Sequence, residues 1–234
     1  MKKILCILLA LVCAFSIVSC NNGNGGTNND NNGGDNGGGE KIEIGNPLEE
    51  VVAASRPTKI VTKVTYVYPN DDQRSKYDLD GLYSLEINGS DSKFAYDYKL
   101  FAIPGEGEAD VPVKSVVGTI YFKDGKIFVA EGEGWENISS QTVNKSFNLL
   151  KNRFKTYEKS EDEKTLTATI TADNIEDVIG YSLSAKGDIT VVVTTDGVYM
   201  RGVTISYKSA EGADVTIDTS YSYNDITIEF PTAE

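Results

Sequence analysis

Phe94-Ala95-Tyr96-Asp97-Tyr98-Lys99-Leu100 alternates large apolar side chains with small or charged ones at a strict period of two. That period puts every ring on one side of a β-strand and every charge on the other; on a helix the same residues would be spread around the axis. The rule repeats outward. Upstream, Val64, Tyr66 and Tyr68 share one side of a strand expected over 60–68, with Lys63 and Thr65 opposite, and a second strand is expected over 82–87. Downstream, 116–122, 127–130, 165–170, 189–195, 198–207 and 215–223 carry the same signal, and the chain finishes on Ile226-Thr227-Ile228-Glu229-Phe230-Pro231.

The separators are hairpin residues. Asn88-Gly89, Asp124-Gly125, Asp196-Gly197 and Glu211-Gly212 each supply a glycine that tolerates positive φ in a tight turn. The order predicts antiparallel strands with one aromatic, covered face and one wet face. Three places depart from it. Asn46-Pro47-Leu48-Glu49 is a helix-start signature, and Leu48, Val51, Val52 and Ser55 form one face of a short helix ending before Pro57. A helical turn is expected over 174–179. Val143, Phe147, Leu150, Phe154 and Tyr157 recur at intervals of four and three, which predicts an amphipathic helix over 143–157 lying on the aromatic face of the sheet. The expected fold class is therefore α+β.

The first forty residues are of another kind. Lys2 and Lys3 precede an apolar run over 4–18 that is too short to span a bilayer comfortably, and Ile17-Val18-Ser19-Cys20 follows. This resembles a bacterial lipobox. The resemblance implies cleavage after residue 19, lipidation of Cys20, and anchorage to a cell membrane or outer membrane on the extracytoplasmic side. Residues 21–39 hold eight Asn, eight Gly, two Asp and one Thr, a spacer reaching about 25 Å as a random coil. The expected organisation is a signal over 1–19, lipidated Cys20 and tether over 20–40, and one domain over 41–234.

Composition narrows the function. The formal charge is −13, and becomes −15 once Lys2 and Lys3 leave with the signal, so nucleic acid and anionic lipid surfaces are repelled. Cys6 and Cys13 leave too, and Cys20 is taken by lipid, so the domain must rely on its core rather than on disulfides. The chain has no histidine, which removes the commonest general base and zinc ligand. Ser90-Asp91-Ser92-Lys93 matches a minimal Ser-x-x-Lys pattern but sits in a hairpin without companion motifs. The acid clusters at 106–110, 131–136 and 161–163 lie in turns and match no calcium-loop spacing. Trp135 either pins a turn or guards a cavity mouth. The expectation is a non-enzymatic protein without metal or cofactor.

The order of tether, short helix, five strands, helical insertion and further strands resembles the superfamily of the lipoprotein carrier LolA and the mycobacterial lipoproteins LppX and LprG. It does so through Asp124-Gly125-Lys126, the stretch from Gly132 to Trp135, and Tyr223-Asn224-Asp225-Ile226-Thr227-Ile228-Glu229-Phe230-Pro231. The resemblance implies a strongly curved antiparallel sheet, an incomplete barrel, with helices over its concave face and a cavity for acyl chains between them. Tyr66, Phe94, Tyr96, Tyr98 and Leu100 would line it from the sheet, and Val143, Phe147, Leu150 and Phe154 from the helical lid. Read from the residues alone, the same elements also make a filled α+β core. An interaction module that binds an envelope protein or glycan through loops or a sheet edge then stands as the alternative. Thirteen tyrosines against eight phenylalanines favour a partly wet groove, because a buried phenol needs a hydrogen-bond partner.

Overall fold

The computed structural model describes residues 51, 56–69, 77–102, 112–124, 126–129, 135–137, 153–179 and 182–231. Eleven strands carry the fold: β1 (Lys59–Val67), β2 (Tyr77–Asn88), β3 (Asp91–Ala102), β4 (Pro112–Lys123), β5 (Lys126–Val129), β6 (Trp135–Asn137), β7 (Phe154–Lys159), β8 (Thr165–Thr171), β9 (Asp188–Thr195), β10 (Met200–Lys208) and β11 (Asp214–Ser222). A five-residue helix, α1 (Ile175–Ile179), interrupts them. The strands make one sheet in the order β6-β5-β4-β3-β2-β1-β11-β10-β9-β8-β7, antiparallel at every step. It is two meanders joined where the first and last strands pair, Val64 opposite Ile217.

The turn chemistry read from the sequence is present. Gly89, Gly197 and Gly212 have φ of 61°, 91° and 95°, and Asp124 takes φ of 51° beside its glycine. Register carries the period of two across the sheet. Phe94 faces Leu85, Leu85 faces Ile60 and Ile60 faces Tyr221, so their side chains share a face. On β8 to β11 that face is fully withdrawn from water: Leu166, Ala168, Ile170, Ile189, Val193 and Ile205 are 0% exposed. At about 2 kcal/mol for each large aliphatic side chain, this is where the fold's hydrophobic stabilisation concentrates. These residues and those of β1 to β3 form a single core cluster, so the sheet curves about this face. The outer face carries ion pairs across strands, with Lys59 Nζ 2.9 Å from Glu86 Oε1 and Lys155 Nζ 2.7 Å from Asp188 Oδ2.

The expected α+β class is not what forms. The described residues are nearly all antiparallel strand, and α1, with five residues, does not cover a concave face. The end of the expected lid helix is part of the sheet: Phe154 and Tyr157 lie in β7, paired with Ile170 and Ala168 of β8. The physical reason is a register shift between Phe154 and Thr156. A bulge inserts one extra residue, so two side chains three apart come to lie on one face of a strand, which reproduces the spacing of a helix. Their rings stack there at 5.8 Å between centroids. Val143, Phe147 and Leu150 lie outside the described residues, as do Cys20, the tether and most of the first expected helix. Val51 of that helix is helical and 2% exposed. The turn expected over 174–179 is α1, with Ile175 and Val178 buried. β6 and β7 carried no strand reading in the sequence, and 226–231 forms no strand.

Candidate functional site

The inner face changes character across the sheet. Over β8 to β11 it is aliphatic and dry. Over β1 to β4 it is aromatic and hydroxyl-bearing, and Tyr66, Tyr96, Leu100, Val116 and Ile120 remain partly accessible while packing against the core. Cross-strand pairing places the residues in rows. Tyr66 faces Leu79, which faces Leu100; Val64 faces Gly81, which faces Tyr98; Thr62 faces Tyr83, which faces Tyr96. The five sheet residues expected to line a site, Tyr66, Phe94, Tyr96, Tyr98 and Leu100, are therefore brought together on one face. Phe154 shares that face by register but belongs to β7, at the far end of the strand order.

Two glycines shape the aromatic part. Gly118 lies directly opposite Tyr96, whose ring and hydroxyl occupy the place where a Cβ on Gly118 would be. Gly81 stands under Tyr83 in the same way: a Cβ there would lie 2.6 Å from the hydroxyl oxygen and 2.8 Å from the nearest ring carbon. Without side chains at these points, the rings of Tyr83 and Tyr96 lie down on the sheet rather than standing off it. Phe94 joins them, with centroids 6.4 Å from Tyr83, nearly parallel, and 5.7 Å from Tyr96. The result is a flat aromatic floor.

Hydroxyls on this floor are mostly matched. Tyr66 and Tyr207 approach oxygen to oxygen at 3.3 Å, Thr62 and Thr219 at 3.1 Å, and Tyr68 donates to Glu211 Oε2 at 3.2 Å. Burial, together with the bond to Glu211 and its charge, pushes the Tyr68 phenol up to about 12. Tyr83 differs from these. It is 4% exposed, and its hydroxyl is buried without a hydrogen-bond partner. Burial, then the neighbouring phenols of Tyr98 and Tyr66, raise its ionisation far above the ordinary tyrosine range, so it remains a neutral donor.

The sequence reading passed over Tyr83, Gly81 and Gly118. A glycine in the middle of a strand is itself a signal of close approach by another group, and both glycines sit inside alternating runs. The other candidates do not assemble into a site. Lys93 of the Ser-x-x-Lys match lies on the outer face, 3.7 Å from Glu86, while Ser90 is an exposed turn residue. Of the acid clusters, 161–163 is the exposed β7–β8 turn, where Asp162 accepts from Ser160 Oγ at 2.6 Å; 106–110 falls outside the described residues, as does 131–134. Trp135 opens β6. Among the described residues no group of three or more His, Cys, Asp or Glu could hold a metal ion, and no helix is long and apolar enough to cross a membrane.

No protein-family model matches the chain, and no curated protein does. Solved structures similar to it include the following two. The hypothetical protein CT021 from Chlamydia trachomatis is 9% identical, with 80% of this chain and 98% of that one covered and a TM-score of 0.30. The redesigned β-barrel mFAP1, bound to DFHBI, is 9% identical, with 75% and 98% covered and a TM-score of 0.19. At these scores neither likeness bears on what the chain does.

Proposed function

We propose that this chain is a membrane-anchored lipoprotein of a bacterial cell envelope that binds an apolar ligand, an acyl chain or lipid, on the aromatic part of its inner sheet face. The observation that carries the reading is the contrast within one face. β8 to β11 bury their inner-face aliphatic side chains to 2% exposure or less, whereas the β1 to β4 region keeps Tyr66, Tyr96, Leu100 and Val116 partly open around a flat aromatic floor. A sheet that only needed a core would close equally over both parts. Apolar binding sites of proteins have this makeup, an aromatic and aliphatic lining with a few placed polar groups. The anchor rests on Ile17-Val18-Ser19-Cys20 and the tether behind it. Two or more acyl chains on Cys20 would suffice for stable attachment, and the acidic domain adds none of its own.

The test is native mass spectrometry with solvent extraction on the chain produced in a bacterial envelope. The expected result is a discrete added mass that extracts into organic solvent and is lost in Leu100→Lys without loss of the fold. A bare polypeptide mass that stays bare after incubation with envelope lipids would refute the reading.

One feature of the outer face favours a second reading, docking of another envelope protein. Leu82 and Val117 are 51% and 63% exposed and flank Asp97 in register, and Asp97 Oδ1 is buried without a hydrogen-bond partner. Leu82→Ser with Val117→Ser would then abolish a specific complex and leave lipid content unchanged.

A further inference from the structure

The Tyr83 hydroxyl differs from those of Tyr66, Tyr68 and Thr62. Tyr66, Tyr68 and Thr62 each have a partner, while the Tyr83 oxygen is enclosed by protein and bonded to none of it. Leaving a buried hydroxyl unsatisfied is costly, and a phenylalanine would fill the same place without that cost. The enclosing side chains also decide which acceptor would suit it. Thr62, Tyr66, Gly81, Phe94, Tyr96 and Tyr98, the residues around Tyr83 on this face, carry no charge. A carboxylate brought here would lose its hydration with no cation to compensate, in a chain whose formal charge is already −13.

We infer that the ligand of this face carries a neutral acceptor oxygen, an ester or amide carbonyl within an otherwise apolar molecule, and that the Tyr83 hydroxyl donates a hydrogen bond to it. This rests on the reading of the face as a lipid site and specifies its substrate class: a neutral acyl ester or amide rather than a free fatty-acid anion or a plain hydrocarbon. Because the phenol stays protonated well above neutrality, the donor is present throughout the physiological range. The oxygen itself is covered, so the carbonyl reaches it only as the ring layer parts, and Tyr66 and Tyr96 are half-buried members of that layer.

The experiment compares the full chain with Tyr83→Phe, both in a mild nonionic detergent. It measures retention of radiolabelled methyl palmitate, palmitate at pH 8, and hexadecane, with protein-free micelles as the blank. The substitution removes one oxygen and keeps the ring. Expected are a roughly fivefold weaker retention of methyl palmitate by the variant, corresponding to one neutral hydrogen bond, unchanged retention of hexadecane, and palmitate held less well than its ester by the wild type. The thermal midpoint of the variant should equal or exceed that of the wild type. Equal ester binding by both proteins, with hexadecane still retained, would sink the Tyr83 assignment and leave the lipid site standing. Palmitate held more tightly than the ester would overturn the neutral-acceptor class, and a lowered midpoint in Tyr83→Phe would mean that the hydroxyl serves the fold. Failure of the wild type to retain any of the three would remove both this inference and the reading beneath it.

Discussion

Replacing Gly118 by alanine should set the sheet against its own aromatic floor. The new Cβ would fall where the Tyr96 ring lies, directly across the strand pair, so the ring must tilt away. Forcing an extra carbon into a packed position costs about 1–3 kcal/mol. Against this, alanine in a strand interior is about 0.5–1 kcal/mol better than glycine, because less backbone freedom is lost on folding. The net expectation is a destabilisation of about 1 kcal/mol, read as a lower urea midpoint with unchanged slope. In a Tyr96→Ala background the obstacle is gone, and the same Gly118→Ala change should stabilise by about 0.5 kcal/mol. The sign reversal is the diagnostic, a coupling of about 1–3 kcal/mol between the two positions. The displaced ring should also stand off the floor and weaken ligand retention. Additivity within about 0.5 kcal/mol, or a Gly118→Ala protein as stable as wild type, would refute the claim that the glycine exists to seat the tyrosine.

Three further outcomes follow from the geometry. Ile205, 0% exposed and placed between Val191 and Ile217, should cost about 2–5 kcal/mol when cut to alanine, seen as a large fall in the urea midpoint; a loss under about 1 kcal/mol would mean that the β8 to β11 half is not close-packed. Tyr68 is raised to about 12 in the fold, so above pH 10 the unfolded chain gives up that proton first and binds fewer. Stability should therefore decline as pH rises from about 10 toward 12, and Tyr68→Phe should flatten that decline in midpoints measured across the range. On the acid side, backbone N–H groups of Tyr199 and Val198, then Arg201, hold the Asp196 carboxyl at about 2. Its contribution to the β9–β10 hairpin should be complete above about pH 4 and be lost as pH falls toward 2, and Asp196→Asn should show no such transition in the amide resonances of Val198 and Tyr199.

The strands other than β6 and β7 were legible in the sequence because their information is local. Alternation in 94–100 needs no partner to be read, and each glycine of a hairpin announces the turn it allows. Gly89, Gly197 and Gly212 adopt the positive φ that their dipeptides imply, and the faces assigned to Val64, Tyr66, Phe94 and Tyr98 are those the register produces. Phe154 and Tyr157 show where local reading ends. Their spacing of three fits a helix as well as a bulged strand, and only the pairing of β7 with β8, through Ile170 and Ala168, decides between them.

The sequence by itself determined the antiparallel strands other than β6 and β7, their turns, the charge on one face and the rings on the other, and the expectation of an anchor at Cys20, all of which follow from short-range steric and hydropathic rules. Tertiary structure alone decided that β1 closes on β11, that the sheet buries one half of its inner face and leaves the other partly open, and that Tyr83 and Tyr96 lie flat over Gly81 and Gly118. Those features arise between residues far apart in the chain, where pairing register and the space left by a missing side chain set the outcome. No window of neighbouring residues contains that information.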